Sequence, residues 1–274
     1  MSLPLFGAHD DPGPDLAALL RQTGRLLLTE PSGPVPVEDF RHGTTCIAIR
    51  YADGVVLAGD RRATSGNLIS HRTIEKVFPA DRHSGVAISG AAGPAVELVR
   101  LFQLQLEHYE KVEGSPISLE GKANQLGQMI RGNLPAAMQG LVVIPIFGGF
   151  DVKQGIGRLF EYDITGGRYE EADHAATGSG SLHAGTVVKL GYRAGSDRTA
   201  VIDLAIEALY HAADEDSATG GPDLLRGIYP VIATITADGY ERADDDELAQ
   251  RTETMIERIR DIRGEGAENG SAKS

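Results

Sequence analysis

Residues 44–60 constrain the fold of this chain more than any other segment. Two β-rich runs, TTCIAIRYA and VVLAGD, flank Asp53-Gly54, and Asp-Gly is a strong signal for a two-residue hairpin loop. Apolar residues of the second run fall on both faces of the predicted strand, so the strand is expected to be covered on both sides. The segment therefore predicts an antiparallel hairpin inside a layered domain.

The remaining elements come in blocks of strands and blocks of helices. The sequence predicts, in order, strands VFPAD and GVAISG, helices AVELVRLFQLQLEHYEKV and SLEGKANQLGQMIRGNL, strands LVVIPIFGGFD and GRLFEYDIT, helices at 181–192 and 200–214, strand IYPVIATIT and a helix at 245–263. Such segregation favours helices on the outer faces of mainly antiparallel sheets. We expect an α+β fold, a four-layer α/β/β/α sandwich of two mainly antiparallel sheets.

Both ends of the chain differ in composition from its middle. Residues 1–43 combine a Pro/Gly/Asp-rich start, a leucine-bearing stretch and the connector PSGPVPVEDF. This composition predicts a short amphipathic helix on a flexible linker. Residues 44–263 have the composition of one globular domain. Residues 264–274, GEGAENGSAKS, are predicted to form a disordered tail.

Charge and cysteine usage exclude several classes of function. The 26 Lys and Arg against 39 Asp and Glu give a net charge of -13, which disfavours nucleic acid and membrane surfaces as partners. Cys46 is the single cysteine, and no zinc-ligand or calcium-loop spacing occurs, so neither a metal nor a cofactor is expected. The first twenty residues lack Lys and Arg, unlike a secretory signal, and we expect a cytoplasmic protein.

The triplet Gly43-Thr44-Thr45 opens the first strand and offers a nucleophile. A threonine hydroxyl is weakly nucleophilic, but an amino-terminal threonine carries its own base, an α-amine with a pKa of about 7.7–8.0. That chemistry requires removal of everything before the threonine, and Gly43, which has no Cβ, leaves its carbonyl open to attack. Residues 1–43 would then be a propeptide. The same triplet is also common strand composition, and composition does not choose between Thr44 and Thr45.

Three further residues could support a nucleophile. Asp60 ends the second strand, where a partly buried carboxylate needs a cation. Lys76 is the only lysine before Lys111, and an ammonium beside a nucleophile relays protons in a way that arginine cannot. Gly90 lies between a strand and a helix, where a bare N–H can bind an oxyanion. A surface lysine and an ordinary turn glycine remain open alternatives.

Several segments together resemble one known family, the catalytic β subunits of actinobacterial-type 20S proteasomes, which are amino-terminal threonine peptidases. The resemblance spans nearly all of residues 44–240 and weakens in the leader and in the last thirty residues. It rests on GTTCIAIRYADGVVLAGDRRAT, the region around Lys76, SGAAGPAVELVRLFQLQLEHYEK, GNL, GSGS and DSATGGPDLLRGIYP.

The resemblance implies a role for each matching residue. Thr44 would be the nucleophile exposed when the Gly43-Thr44 bond cuts itself, Asp60 and Lys76 would tune it, and Gly90 would donate to the oxyanion. The remaining matches are Ser179 and Asp216 around the terminal amine, Arg62 beside Asp60 as a structural arginine, and Thr219, where many relatives carry serine.

The resemblance also implies where a substrate binds. The backbone of Thr64 would pair with an extended peptide. A side pocket for the residue before the cut bond would be lined by Ala63, Ile74, Phe78, Ile88, Ala92 and Val96. All six are apolar, which favours cleavage after hydrophobic residues, because a charged side chain would lose hydration there.

Partners are implied by the resemblance alone. They are homo-heptameric β rings stacked with rings of a separate α subunit in a four-ring particle, and an ATP-dependent ring unfoldase that delivers tagged (pupylated) proteins. Two alternatives remain at this point. One is another amino-terminal-nucleophile amidohydrolase that acts without α partners, and the other is a non-catalytic ring scaffold.

Overall fold

The computed structural model describes Leu19, Gln22 and residues 43–271. Apart from Leu19 and Gln22, which are helical, and Gly43, the predicted leader helix, its linker and the rest of the predicted propeptide lie outside the described residues. The described chain contains twelve strands: β1 (Thr45–Tyr51), β2 (Gly54–Gly59), β3 (Ala63–Ser65), β4 (Leu68–His71), β5 (Val77–Asp81), β6 (Ser84–Gly90), β7 (Val143–Asp151), β8 (Ile156–Tyr162), β9 (Arg168–Glu171), β10 (His174–Gly178), β11 (Val231–Thr236) and β12 (Gly239–Arg242).

Residues 43–271 also contain six helices, three of which begin with a polar side chain as a cap. Asp244 caps the last helix by accepting a hydrogen bond from the N–H of Asp246. Ser118 accepts a hydrogen bond from the N–H of Gly121, and Asp197 accepts one from the N–H of Ala200. The helices are α1 (Ala92–Glu113), α2 (Leu119–Gly132), α3 (Leu134–Ala137), α4 (Ser181–Gly191), α5 (Arg198–Glu215) and α6 (Asp245–Ser271).

Two antiparallel five-stranded sheets form the centre of the domain. The first sheet has the order β10-β1-β2-β11-β12, and the second has the order β5-β6-β7-β8-β9. Strands β3 and β4 form a separate two-stranded ribbon. Tyr51 pairs with Gly54 across the β1-β2 turn, which confirms the hairpin predicted at Asp53-Gly54.

Three apolar clusters define four layers. Between the sheets lie Cys46 and Leu57 of the first sheet and Ala87, Ile146 and Leu159 of the second, all fully buried. The opposite face of the first sheet packs against α4, α5 and α6, and the opposite face of the second packs against α1 and α2. The predicted α/β/β/α sandwich is therefore confirmed.

The structure departs from the predicted elements mainly at their ends. Helix α6 continues past the predicted boundary at 263 to Ser271, so its backbone is helical across most of the segment predicted to be a disordered tail. No proline interrupts residues 245–271, and glycine weakens a helix without terminating it. The sequence prediction also missed β3, β4, β9, β10 and β12, which are too short for alternation to show. Across the described residues, no helix is both long and apolar enough to span a membrane.

The burial of Cys46 predicts how its thiol reacts. The side chain is 0% exposed between the two sheets, and burial raises its pKa to about 12. Since the thiolate is the reactive form, we expect no alkylation by iodoacetamide at pH 8 in the folded protein and one adduct per chain after unfolding in guanidinium. Intact-mass measurement checks this, and labelling of the folded protein at the unfolded rate would contradict it.

Candidate active site

The carboxylate of Asp60 is fully buried and accepts four hydrogen bonds. Its Oδ1 accepts from the N–H of Thr45 at 2.8 Å and from Lys76 Nζ at 2.6 Å. Its Oδ2 accepts from the N–H groups of Arg62 and Gly220, both at 2.8 Å. One anion therefore joins the start of β1, the segment after β2 and the loop after α5.

Lys76 lies immediately before β5 and is 4% exposed. Its ammonium donates to Asp60 and, at 2.6 Å, to the carbonyl oxygen of Arg62. A buried ammonium requires this pairing, because an isolated charge in an apolar interior is strongly disfavoured. An ammonium has three N–H donors, and these contacts occupy two of them. The structure thus brings the two predicted charged groups together in a fixed orientation.

Gly43 and Thr44 lie next to this pair. The N–H of Gly43 donates to Thr64 Oγ1 at 3.1 Å, and the N–H of Ser179 donates to the Thr44 carbonyl at 2.9 Å. The Thr44 hydroxyl donates to the carbonyl oxygen of Gly43 at 2.8 Å. The hydroxyl of a 5% exposed threonine therefore adjoins the peptide bond that precedes it.

Glycine is required at position 43 by its surroundings. A Cβ added to Gly43 would lie 1.7 Å from the Cβ of Ala218, a distance that no pair of carbon atoms tolerates without bonding. The loop after α5 thus presses directly on the backbone at the predicted cut.

Thr45 differs from Thr44 in its surroundings. Its hydroxyl is fully buried, lies 2.5 Å from that of Thr219 and accepts a hydrogen bond from the N–H of Gly180 at 3.0 Å. Of the two threonines that composition leaves open, Thr44 is the one whose hydroxyl contacts the Gly43 carbonyl.

Ser179 and Asp216, which the resemblance assigns to the surroundings of the terminal amine, contact each other. Ser179 Oγ donates to Asp216 Oδ2 at 2.5 Å, and Thr219 Oγ1 donates to the same oxygen at 2.6 Å. Burial alone would raise the pKa of Asp216, but the hydrogen bonds from Ser179, Thr219 and the N–H of Ala218 outweigh it and lower that pKa. Asp216 is therefore an anion at neutral pH.

A pocket opens beside Thr44. Its wall contains Thr44, Lys76 and Gly90 together with all six residues that the family resemblance assigns to the side pocket: Ala63, Ile74, Phe78, Ile88, Ala92 and Val96. Ala95 and Glu75 also line it, and the sequence prediction missed both. The carboxylate of Glu75 is paired with Arg242 at 2.5 Å and lies 3.7 Å from Arg61.

Gly90 ends β6 with a φ of 112°, in the region that side chains other than glycine rarely adopt. A Cβ there would lie 2.0 Å from the carbonyl oxygen of Val142. Glycine at this position is therefore a requirement of the backbone path that brings residue 90 into the pocket wall.

Groups of three or more His, Cys, Asp and Glu that could hold a metal ion are absent from the part of the chain that the structure describes. The polar groups of the site are hydroxyls, one lysine, the carboxylates of Asp60, Asp216 and Glu75, and backbone N–H groups.

Comparison with known proteins identifies the family to which the chain is similar. The family model described as proteasome subunit matches residues 40–223. The chain is 58% identical over 268 residues to "Proteasome subunit beta" of Acidimicrobium ferrooxidans, covering 97% of both chains. It is 55% identical over 217 residues to the protein of that name from Streptomyces griseus, covering 79% of this chain and 77% of that one. It is 52% identical over 223 residues to that of a Parafrankia species, covering 81% of both.

The four-layer sandwich with these antiparallel sheets is the fold of the amino-terminal-nucleophile hydrolases. Within that class, the chain belongs to the proteasome subunit family. Its similarity throughout to β subunits makes it a β-type member.

The contacts of Asp60 predict a large effect of its removal on stability. Asp60→Ala leaves the Lys76 charge and three backbone N–H groups without their acceptor, so we expect a loss of about 3–5 kcal/mol in the free energy of unfolding. Guanidinium unfolding measures it. Glu107→Ala is the control, because it removes the exposed Glu107–Lys111 pair and should change stability little. Equal shifts in the two variants would contradict the assignment.

Proposed function

We propose that this chain is a threonine-type endopeptidase that activates itself by cutting the Gly43-Thr44 bond and then hydrolyses unfolded proteins inside a proteasome core particle. One observation carries the proposal. The Thr44 hydroxyl is buried against the carbonyl of the residue before it, in the wall that also contains Lys76 and Gly90.

The first reaction is the self-cut. Thr44 Oγ attacks the carbonyl carbon of Gly43, the C–N bond breaks, and the acyl group moves from nitrogen to oxygen as an ester. Water then hydrolyses that ester and releases residues 1–43. The Thr44 nitrogen, an amide that cannot accept a proton before the cut, becomes a free amine.

The second reaction repeats the chemistry on a substrate. The freed amine accepts the hydroxyl proton, through water, as Thr44 Oγ attacks a peptide carbonyl. Lys76, fixed by Asp60, supplies positive charge, and the N–H of Gly90 stabilises the developing oxyanion by about 3–4 kcal/mol. Asp216 and Ser179 surround the new ammonium. Water finally releases the acyl group from Thr44.

The relatives support the setting of this activity, since each is a proteasome β subunit. We infer homo-heptameric β rings stacked with α rings in a four-ring particle, located in the cytoplasm. An ATP-dependent ring unfoldase would deliver tagged (pupylated) proteins to it. The chemistry proposed here needs no cofactor.

The pocket predicts the cleavage preference. Seven of its residues are apolar, and the charge of Glu75 is paired with Arg242, so an apolar side chain before the cut bond should bind best. We expect fluorogenic peptides with Leu at that position to have a higher kcat/KM than peptides with Arg or Glu. Equal values for the three peptides would contradict this assignment of the pocket.

Removing one hydroxyl tests the whole proposal. Thr44→Ala, co-expressed with the α subunit, should retain residues 1–43 by intact mass and show no peptidase activity, because both reactions need the same oxygen. Thr254→Ala, which removes an exposed hydroxyl from α6, is the control and should be processed and active. A Thr44→Ala particle that still loses residues 1–43 would refute self-cleavage by Thr44.

A further inference from the structure

We propose that Thr45 is a positioning residue for the reaction, acting through a chain of hydroxyl groups that ends on Asp216. The inference rests on the proposed function of Thr44 and names a residue that this function does not use. The hydroxyls of Thr45 and Thr219 are 2.5 Å apart although the residues are 174 positions apart in sequence.

The hydrogen bonds that connect Gly180, Thr45, Thr219 and Asp216 have only one consistent donor-to-acceptor direction. Thr219 Oγ1 donates its single proton to Asp216 Oδ2, because a lowered pKa keeps that carboxylate ionised and able only to accept. Thr219 must then accept the proton of Thr45. Thr45 in turn accepts from the N–H of Gly180, because a backbone N–H can only donate. The chain therefore runs from Gly180 through Thr45 and Thr219 to Asp216.

Burial allows only this arrangement of donors and acceptors. Thr45 and Thr219 are both 0% exposed, so water does not compete for their hydroxyls, and Gly180 is buried as well. A Cβ added to Gly180 would lie 2.5 Å from Thr45 Oγ1 and 2.7 Å from Thr219 Oγ1, which shows how closely the backbone surrounds the pair. The two hydroxyls thus have a single arrangement in the folded state.

The series of hydrogen bonds ends at Asp216, beside groups that the proposed mechanism must orient. Asp216 Oδ2 accepts from Thr219 on one side and from Ser179 on the other, and Ser179 also holds the Thr44 carbonyl through its N–H. Thr45 is the residue next to Thr44, and its N–H is fixed by Asp60. Thr45 therefore links the carboxylate of Asp60, through its N–H, to the carboxylate of Asp216, through its hydroxyl and that of Thr219.

The experiment compares variants of the full chain assembled with the α subunit. Thr45→Val removes the hydroxyl at nearly constant volume, and Thr45→Ser restores it. Thr252→Val is the matched control, because Thr252 is also 0% exposed but its hydroxyl donates within α6 to the Leu248 carbonyl. Steady-state rates on a fluorogenic Leu peptide are divided by the number of active sites titrated with a covalent inhibitor, so incomplete assembly does not lower the measured kcat.

We expect Thr45→Val to lower kcat about tenfold, because one orienting hydrogen bond is lost, and to leave KM within about twofold, because the pocket is untouched. Thr45→Ser should recover most of kcat. Thr252→Val should match the unmodified enzyme. A kcat unchanged in Thr45→Val, or a loss that serine does not restore, would overturn the proposal.

A second variant tests the route of the effect and covers a failure of Thr45→Val to assemble. Thr219→Val interrupts the same chain at its other hydroxyl and should also lower kcat at constant KM. The double variant should be no slower than Thr219→Val alone, because Thr45 acts only through Thr219. Multiplied losses in the double variant would overturn that route. Failure of the proposed function can be distinguished from failure of this inference. If the proposed function were wrong, the unmodified enzyme and Thr44→Ala would have equal activity.

Discussion

The buried carboxylate of Asp60 is the interaction on which the rest of this structure depends. A charge with no exposure to solvent is tolerated only when every lone pair is satisfied, and here four donors from separate parts of the chain meet that demand. The same contacts set the position of Lys76 and of the first residues of β1. Stability and the geometry of the candidate site thus have one common cause.

Much of this arrangement could be predicted from the sequence, because local signals agreed with the global fold. Asp53-Gly54 identified the hairpin, and blocks of strand and helix periodicity identified the layers. The side-pocket residues came from family resemblance, and the structure gathers all six in one wall. Asp60 was expected to need a cation on chemical grounds alone, and it has one in Lys76.

What the sequence could not predict depends on contacts between distant segments. The Thr45–Thr219 pair joins β1 to the loop after α5, and no local pattern indicates it. Glu75 in the pocket wall is another case, since its carboxylate forms an ion pair with Arg242 on β12. Strands of three or four residues, such as β3 and β4, are defined by their partners rather than by their own periodicity.

The close approach of Ala218 to Gly43 limits how the chain can vary at position 43. At position 43 any side chain would collide with the loop after α5, so the folded domain accepts only glycine there. Under the proposed cut at Gly43-Thr44, this steric constraint falls on the last residue of the released segment. The folded domain would then restrict the composition of the junction at which it is processed.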